Sequence, residues 1–238
     1  MYGLGTIINM AAIVAGGLLG AVFGRFLNES TQDTLTKVCG VSTLFIAVTG
    51  VLEKMLRIEN GVIVSSGSML VLICLALGGL VGEWMKIEDG FESFGQWLKI
   101  KSGNAKDKDF VNAFVTASLT VCIGAMAIVG AIQDGITGDY SILAMKAALD
   151  LIIIAVMSCS LGKGAVFSAI PVGILQGSVT LLAGLLRSVM TDAALNNLSL
   201  VGNVMIFCVG INLVWGKKIK VANLLPAIIV AVLASYIG

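Results

Sequence analysis

Apolar runs close to the ~20 residues that span about 30 Å of hydrocarbon recur eight times in this chain. They fall at roughly 4 to 24, 35 to 53, 64 to 84, 110 to 132, 142 to 160, 166 to 187, 199 to 215 and 222 to 237. Lipid offers no partner to backbone N–H and C=O groups, and none of the runs alternates apolar and polar residues as a barrel strand does. Each run is therefore expected to be a helix, and the chain an all-α polytopic membrane protein with about eight transmembrane helices. Composition agrees: charged residues make up 12% of the 238, half the ~25% of a soluble domain. The first run lacks a positive region before it and continues past signal-peptide length, so it is expected to remain as a helix.

Charge sets the expected orientation. The odd-numbered connections and their edges hold eleven of the fifteen Lys and Arg, the even-numbered ones four, which by the positive-inside rule places odd connections in the cytoplasm and both termini outside. The basic residues sit in loops rather than in a stripe, so nucleic acid is not an expected partner; the expected surroundings are the lipid bilayer.

One connection is long. The expected organisation is a single membrane domain, 1–238, with an inner amphipathic helix and polar linker at 85–109. Ile87, Phe91, Phe94 and Leu98 share one helical face there, with Trp97 beside them and Lys99 and Lys101 following. That pattern fits a helix at the headgroup level, or equally one that caps the bundle.

A shift of 80 residues aligns Gly50, Gly130 and Gly210. The chain can thus be divided into three diverged units of about 80 residues, the first and third in opposite orientations if residues 85–109 do not cross, the inverted-repeat plan of many secondary transporters. Chance likeness among glycines and aliphatics explains the same alignment. Gly20 and Gly24 form a Gly-x-x-x-Gly spacing that permits close helix approach, within the chain or in a homodimer.

Residues able to do chemistry are few. The chain has no His, which removes imidazole bases, ligands and Ser/His or Cys/His dyads together. Gly162-Lys163-Gly164 lacks the spacing of a phosphate loop, and no metal or cofactor motif is present. An enzyme is not expected, nor a cofactor. The exception to the apolar pattern is Asp150, which precedes the run 151–157 and stands roughly 12 Å along its helix from Ile142 at 1.5 Å per residue. A carboxylate at that depth must face protein or water. It can pair with Lys146, four residues back on the same face, or belong to an ion, proton or amine site. Gln133 and Asp134 adjoin the turn Gly135-Ile136-Thr137-Gly138, where Asp139 or Ser141 is a suitable helix cap. Pro171 and Gly173 interrupt the next run, and Gln176 follows about one turn later. Asn9, Asn203 and Asn212 are amides inside or near spans, and bridging between helices is their simplest role.

The segment Gln133-Asp134-Gly135-Ile136-Thr137-Gly138-Asp139-Tyr140-Ser141, with Lys146 and Asp150 after it, resembles the YqgA/YdfK-like bacterial membrane family of unknown function. Gly5-Thr6-Ile7-Ile8-Asn9, Gln176-Gly177-Ser178 and Asn223-Leu224-Leu225-Pro226-Ala227 extend the resemblance along the chain. Leu151 departs from it where the family often has Gly, and Ala165 where a larger aliphatic is usual. The resemblance implies a bacterial cytoplasmic (inner) membrane location and supplies no substrate. From the residues themselves, the leading expectation is a small secondary transporter or channel for a small ion or polar metabolite. Its site would hold Asp150, Lys146, Gln133, Asp134, Gln176 and Asn203. The alternative is a non-transporting scaffold or accessory subunit.

Overall fold

A computed structural model describes residues 2–236, which form eleven α-helices and one β-hairpin. In chain order these are α1 (Leu4–Gly24), α2 (Glu29–Met55), β1 (Leu56–Glu59), β2 (Val62–Ser65), α3 (Ser68–Met85), α4 (Ile87–Lys101), α5 (Phe110–Cys122), α6 (Ala125–Thr137), α7 (Ser141–Leu161), α8 (Ala169–Leu181), α9 (Ala183–Val189), α10 (Asp192–Trp215) and α11 (Pro226–Ala234). Short 3-10 turns, Lys163–Ser168 and Val221–Leu224, lead into α8 and α11.

Six helices are long and apolar enough to cross a membrane, or seven if the bent pair α5 and α6 is one span; the segment Val221–Ala234 is apolar but shorter. Every apolar run in the sequence thus has helical counterparts, several of them interrupted. α5 and α6 meet at 62°, across Gly124, whose φ of 149° suits glycine. The run expected to begin at 64 starts instead in the hairpin. There Asn60 and Gly61 both take positive φ, the geometry of a two-residue turn that matches the twist of paired strands.

Packing divides the described chain into two compact units: residues 2–39, 90–122 and 126–188, and residues 40–89, 123–125 and 189–236. In the first unit α1 lies on α7. A Cβ added to Gly16, Gly20 or Gly24 would overlap the backbone oxygen of Leu151, Ala155 or Cys159 respectively. Both sets of numbers rise together, so the two helices run parallel. Their backbones approach because α1 carries no side chains on that face. The Leu151 departure from the family pattern is therefore harmless to close approach, since the glycine is on α1. α8 runs antiparallel to α1, with Gly3 beside Thr180 and Gly173 beside Met10.

α4 forms as the periodicity predicts, with its apolar residues divided between two environments. Leu98 is buried and Phe94 packs edge-on against Phe114 of α5 at 5.8 Å, while Trp97 and Ile100 remain exposed.

In the second unit α3 uses the same device. A side chain at Gly78 or Gly82 would collide with the backbone of Ala227 or Asn223. Gly40 and Gly50 of α2 face Leu213 and Asn203 of α10, and Gly210 of α10 faces Leu44 of α2. Gly50 and Gly210 thus lie on opposite partners of one antiparallel contact.

Several polar residues of the second unit form a network at the end of α3. Glu88 accepts from the Ala222 N–H at 2.9 Å and from Lys217 Nζ at 2.9 Å. Asn223 accepts from the Glu88 N–H at 2.7 Å and donates to Glu83 at 2.6 Å. Glu83 also pairs with Lys220 at 2.7 Å.

Candidate functional site

α7 presents two faces. Leu143, Lys146, Ala147, Asp150, Ile154 and Met157 form a buried stripe, whereas Met145, Leu149 and Ile152 are exposed. Spacings of three and four residues put the two ionisable side chains on the buried stripe, halfway along the helix. Lys146 Nζ donates to both carboxylate oxygens of Asp150 at 2.8 Å, with the residues 8% and 3% exposed. The pair is electrically neutral as a unit. Its mutual attraction roughly offsets the cost of taking both charges out of water, so the pair is not itself a strong stabiliser.

Further polar groups are buried in the same unit. Asp134, on α6, lies against the start of α1, where its Oδ2 accepts the Gly5 N–H at 2.9 Å. A carboxylate there satisfies one of the free donors of the helix N-terminus and suits its dipole. The other carboxylate oxygen, Oδ1, has no partner. Thr6 and Asn9 stand on α1 and Gln176 on α8. Gln176 falls between the two points where those helices touch, Thr180 beside Gly3 and Gly173 beside Met10. Asn9 is near enough to Asp150 to interact with its carboxylate, yet neither of its amide atoms makes a hydrogen bond of normal geometry. Thr6 Oγ1 and both amide atoms of Gln176 are likewise buried without partners.

Five residues expected at the site, Lys146, Asp150, Gln133, Asp134 and Gln176, therefore belong to one unit, carried by α6, α7 and α8. Gln133, in the last turns of α6, donates to Asp139 Oδ2 at 2.6 Å. Asp139 also accepts the Ser141 N–H at 2.9 Å, but from one residue before the cap position expected of it, which Tyr140 occupies without a side-chain hydrogen bond. Hydrogen bonds from the Ser141 backbone, the Ser141 side chain and Gln133 hold the Asp139 carboxyl below the usual aspartate range. Asn203 is on α10 in the second unit, facing Gly50. Sequence reasoning missed Thr6 and assigned Asn9 to helix bridging. The available signal was their place in Gly5-Thr6-Ile7-Ile8-Asn9, two polar side chains one turn apart in an otherwise apolar helix.

At the C-terminal ends of α1 and α7 the first unit has an open cavity of about 410 Å³, lined in part by Arg25, Gln32, Asp107, Asp109, Ser158 and Lys163. Ser158 donates to the Gly17 carbonyl at 2.7 Å and is eight residues beyond Asp150, about 12 Å along the helix.

Apolar spans joined by close glycine contacts, with a polar interior in one unit, define a polytopic α-helical membrane protein. Comparison with known proteins gives the particular family. The chain belongs to the family described as "Protein of unknown function (DUF554)", which matches residues 4–236. It is 27% identical over 226 residues to "Uncharacterized membrane protein YdfK" of Bacillus subtilis (strain 168), covering 95% of this chain and 93% of that protein. It is also 27% identical over 232 residues to "Uncharacterized protein YqgA" of Escherichia coli (strain K12), covering 96% and 94%. No solved structure matches the chain.

Proposed function

We propose that this protein is a small secondary carrier or channel for a small ion or polar metabolite in the bacterial cytoplasmic membrane, with its site in the first unit around Lys146 and Asp150. One observation carries the reading. Six buried side-chain atoms of Thr6, Asn9, Asp134 and Gln176 lack hydrogen-bond partners, in the unit that also buries a charged pair at mid-helix. Each such group costs roughly 1–3 kcal/mol by mutational measures, and a polar guest supplies the missing bonds.

The parallel packing of α1 on α7 supports the expected topology. Parallel helices need an odd number of crossings between them; α2 and α3 supply two, so the bent α5–α6 segment makes the third. The cavity beside Arg25 and Lys163 is then on the positive, cytoplasmic side, and serves as the inner entrance toward Asp150.

A non-transporting scaffold, or a homodimer that hosts the carrier, draws on α2, in which only Gly40 and Ala47 are buried. The two readings separate in a thermal-stability panel of the purified protein against cations, amines, amino acids and carboxylates, run beside Asp150→Asn. A ligand of the folded state at about a hundred times its Kd adds about 2.7 kcal/mol. The carrier reading expects one class to stabilise the wild type and not the variant. Flat responses in both proteins favour the scaffold.

A further inference from the structure

The unpartnered groups are not scattered. Gly5 is tied to Asp134 by a hydrogen bond of 2.9 Å, Thr6 follows it on α1, and Asn9 stands one turn further, so three of the four lie within about 6 Å of helix rise. Gln176 enters the same level from α8, held there by the Gly3–Thr180 and Met10–Gly173 contacts on either side. All four residues are at most 6% exposed. The oxygens without partners are Asp134 Oδ1, Asn9 Oδ1, Gln176 Oε1 and Thr6 Oγ1.

Charge narrows what fits. Lys146 is committed to both oxygens of Asp150, and among the described residues no Lys or Arg is paired with Asp134. The layer therefore offers one carboxylate and three neutral oxygens, with no cation of its own. Hard cations are bound by such oxygen sets. A single negative charge balances a charge of +1, and the nearby second carboxylate that a divalent ion would use is already neutralised by Lys146.

We infer that Asp134, Asn9, Gln176 and Thr6 bind a small alkali-metal cation between α1, α6 and α8, next to the Lys146–Asp150 pair. The ion satisfies the four oxygens and leaves Gln176 Nε2 as a donor toward a polar solute. Its role as a coupling ion rests on the carrier reading; its binding does not.

The test uses the full-length purified protein in detergent, melted in choline chloride and in lithium, sodium and potassium chloride at equal ionic strength. The expected result is a saturable rise of several degrees in at least one alkali chloride over choline. Asp134→Asn should abolish that rise, and Thr6→Val, which preserves shape, should raise the half-saturating concentration. If Asp134→Asn does not fold, Gln176→Met takes its place with the same expectation. A wild type that melts identically in all four salts overturns the inference, as does an undiminished rise in the Asp134 or Gln176 variant. An alkali-blind wild type that still answers to a solute through Asp150 overturns the ion and keeps the carrier. Blindness to both overturns both.

Discussion

The two units are built with one device and put it to different ends. In each, a long helix stops at a glycine with positive φ, Gly162 or Gly216, and the chain passes through a 3-10 turn into a proline-bearing helix. In each, that return packs on a helix containing Gly-Gly-Leu-x-Gly, residues 16–20 in α1 and 78–82 in α3. Their polar groups differ. The buried Glu88 and Asn223 of the second unit are fully engaged at a helix end. The first unit buries Lys146 and Asp150 at mid-helix and leaves six side-chain atoms unpartnered. Polar residues that complete their hydrogen bonds hold helices together. Polar residues that leave bonds unmade on several helices of one unit are what the proposed site draws on.

The largest expected effect breaks what the units share. Gly20→Leu in α1 and Gly82→Leu in α3 each drive a side chain into a facing backbone. Both should lose folded protein in detergent, with a penalty at or beyond the upper end of the ~1–3 kcal/mol typical of overpacking. A variant that remains fully folded would show that its seam is looser than the glycines imply.

The charged pair sharpens the difference between the units. Lys146→Met leaves Asp150 buried without its counter-ion and should cost about 3–5 kcal/mol, whereas the double variant Lys146→Met/Asp150→Leu should recover most of that loss. Equilibrium unfolding checks both values. Recovery of stability without recovery of the ligand response would separate folding from function at this pair.

A matched pair of smaller changes tests the buried amides. Asn223→Leu strips a satisfied network in the second unit and should destabilise by about 1–3 kcal/mol, since Glu88 and Glu83 lose partners. Gln176→Met replaces an unsatisfied amide by an apolar group of similar volume in the first unit and should be neutral or stabilising. If Gln176→Met were the more damaging of the two, Gln176 would have a structural role.

The smallest effect is in the turn before α7. Because its folded-state pKa is depressed, Asp139 contributes stability that is present above the unfolded value near 3.9 and is lost as pH falls through the lower folded value. Asp139→Asn should therefore match the wild type at the acid end of a pH series and fall slightly below it at neutral pH, as read from melting midpoints.

Much of this was legible in the sequence because it is local. The apolar runs located α1 and α7 to within a residue and α2 apart from its polar first turns, and the spacing of four between Lys146 and Asp150 disclosed a pair on one face. The amphipathic pattern of 87 to 98 specified α4, though not which apolar residues face Phe114. The rest depends on register between distant segments. Asp134 reads as a turn residue until Gly5 is placed beside it from the other end of the chain. Thr6 and Asn9 come level with Gln176 because α1 and α8 run antiparallel with Gly173 against Met10. The break at Gly124 also lay hidden, since glycines are frequent throughout these helices and only the backbone shows which one turns the chain.

The central claim, that the first unit holds a binding site while the polar groups of the second only join helices, is tested most directly by aqueous access. Single cysteines at Gln176 and Met205, both fully buried residues of spanning helices, can be introduced into a background in which the five free native cysteines are replaced. Each variant is then treated with a small, charged, water-soluble thiol reagent. The account predicts that Gln176→Cys is modified, while Met205→Cys stays unmodified. An unreactive Gln176→Cys, or equal reaction at the two positions, would contradict it.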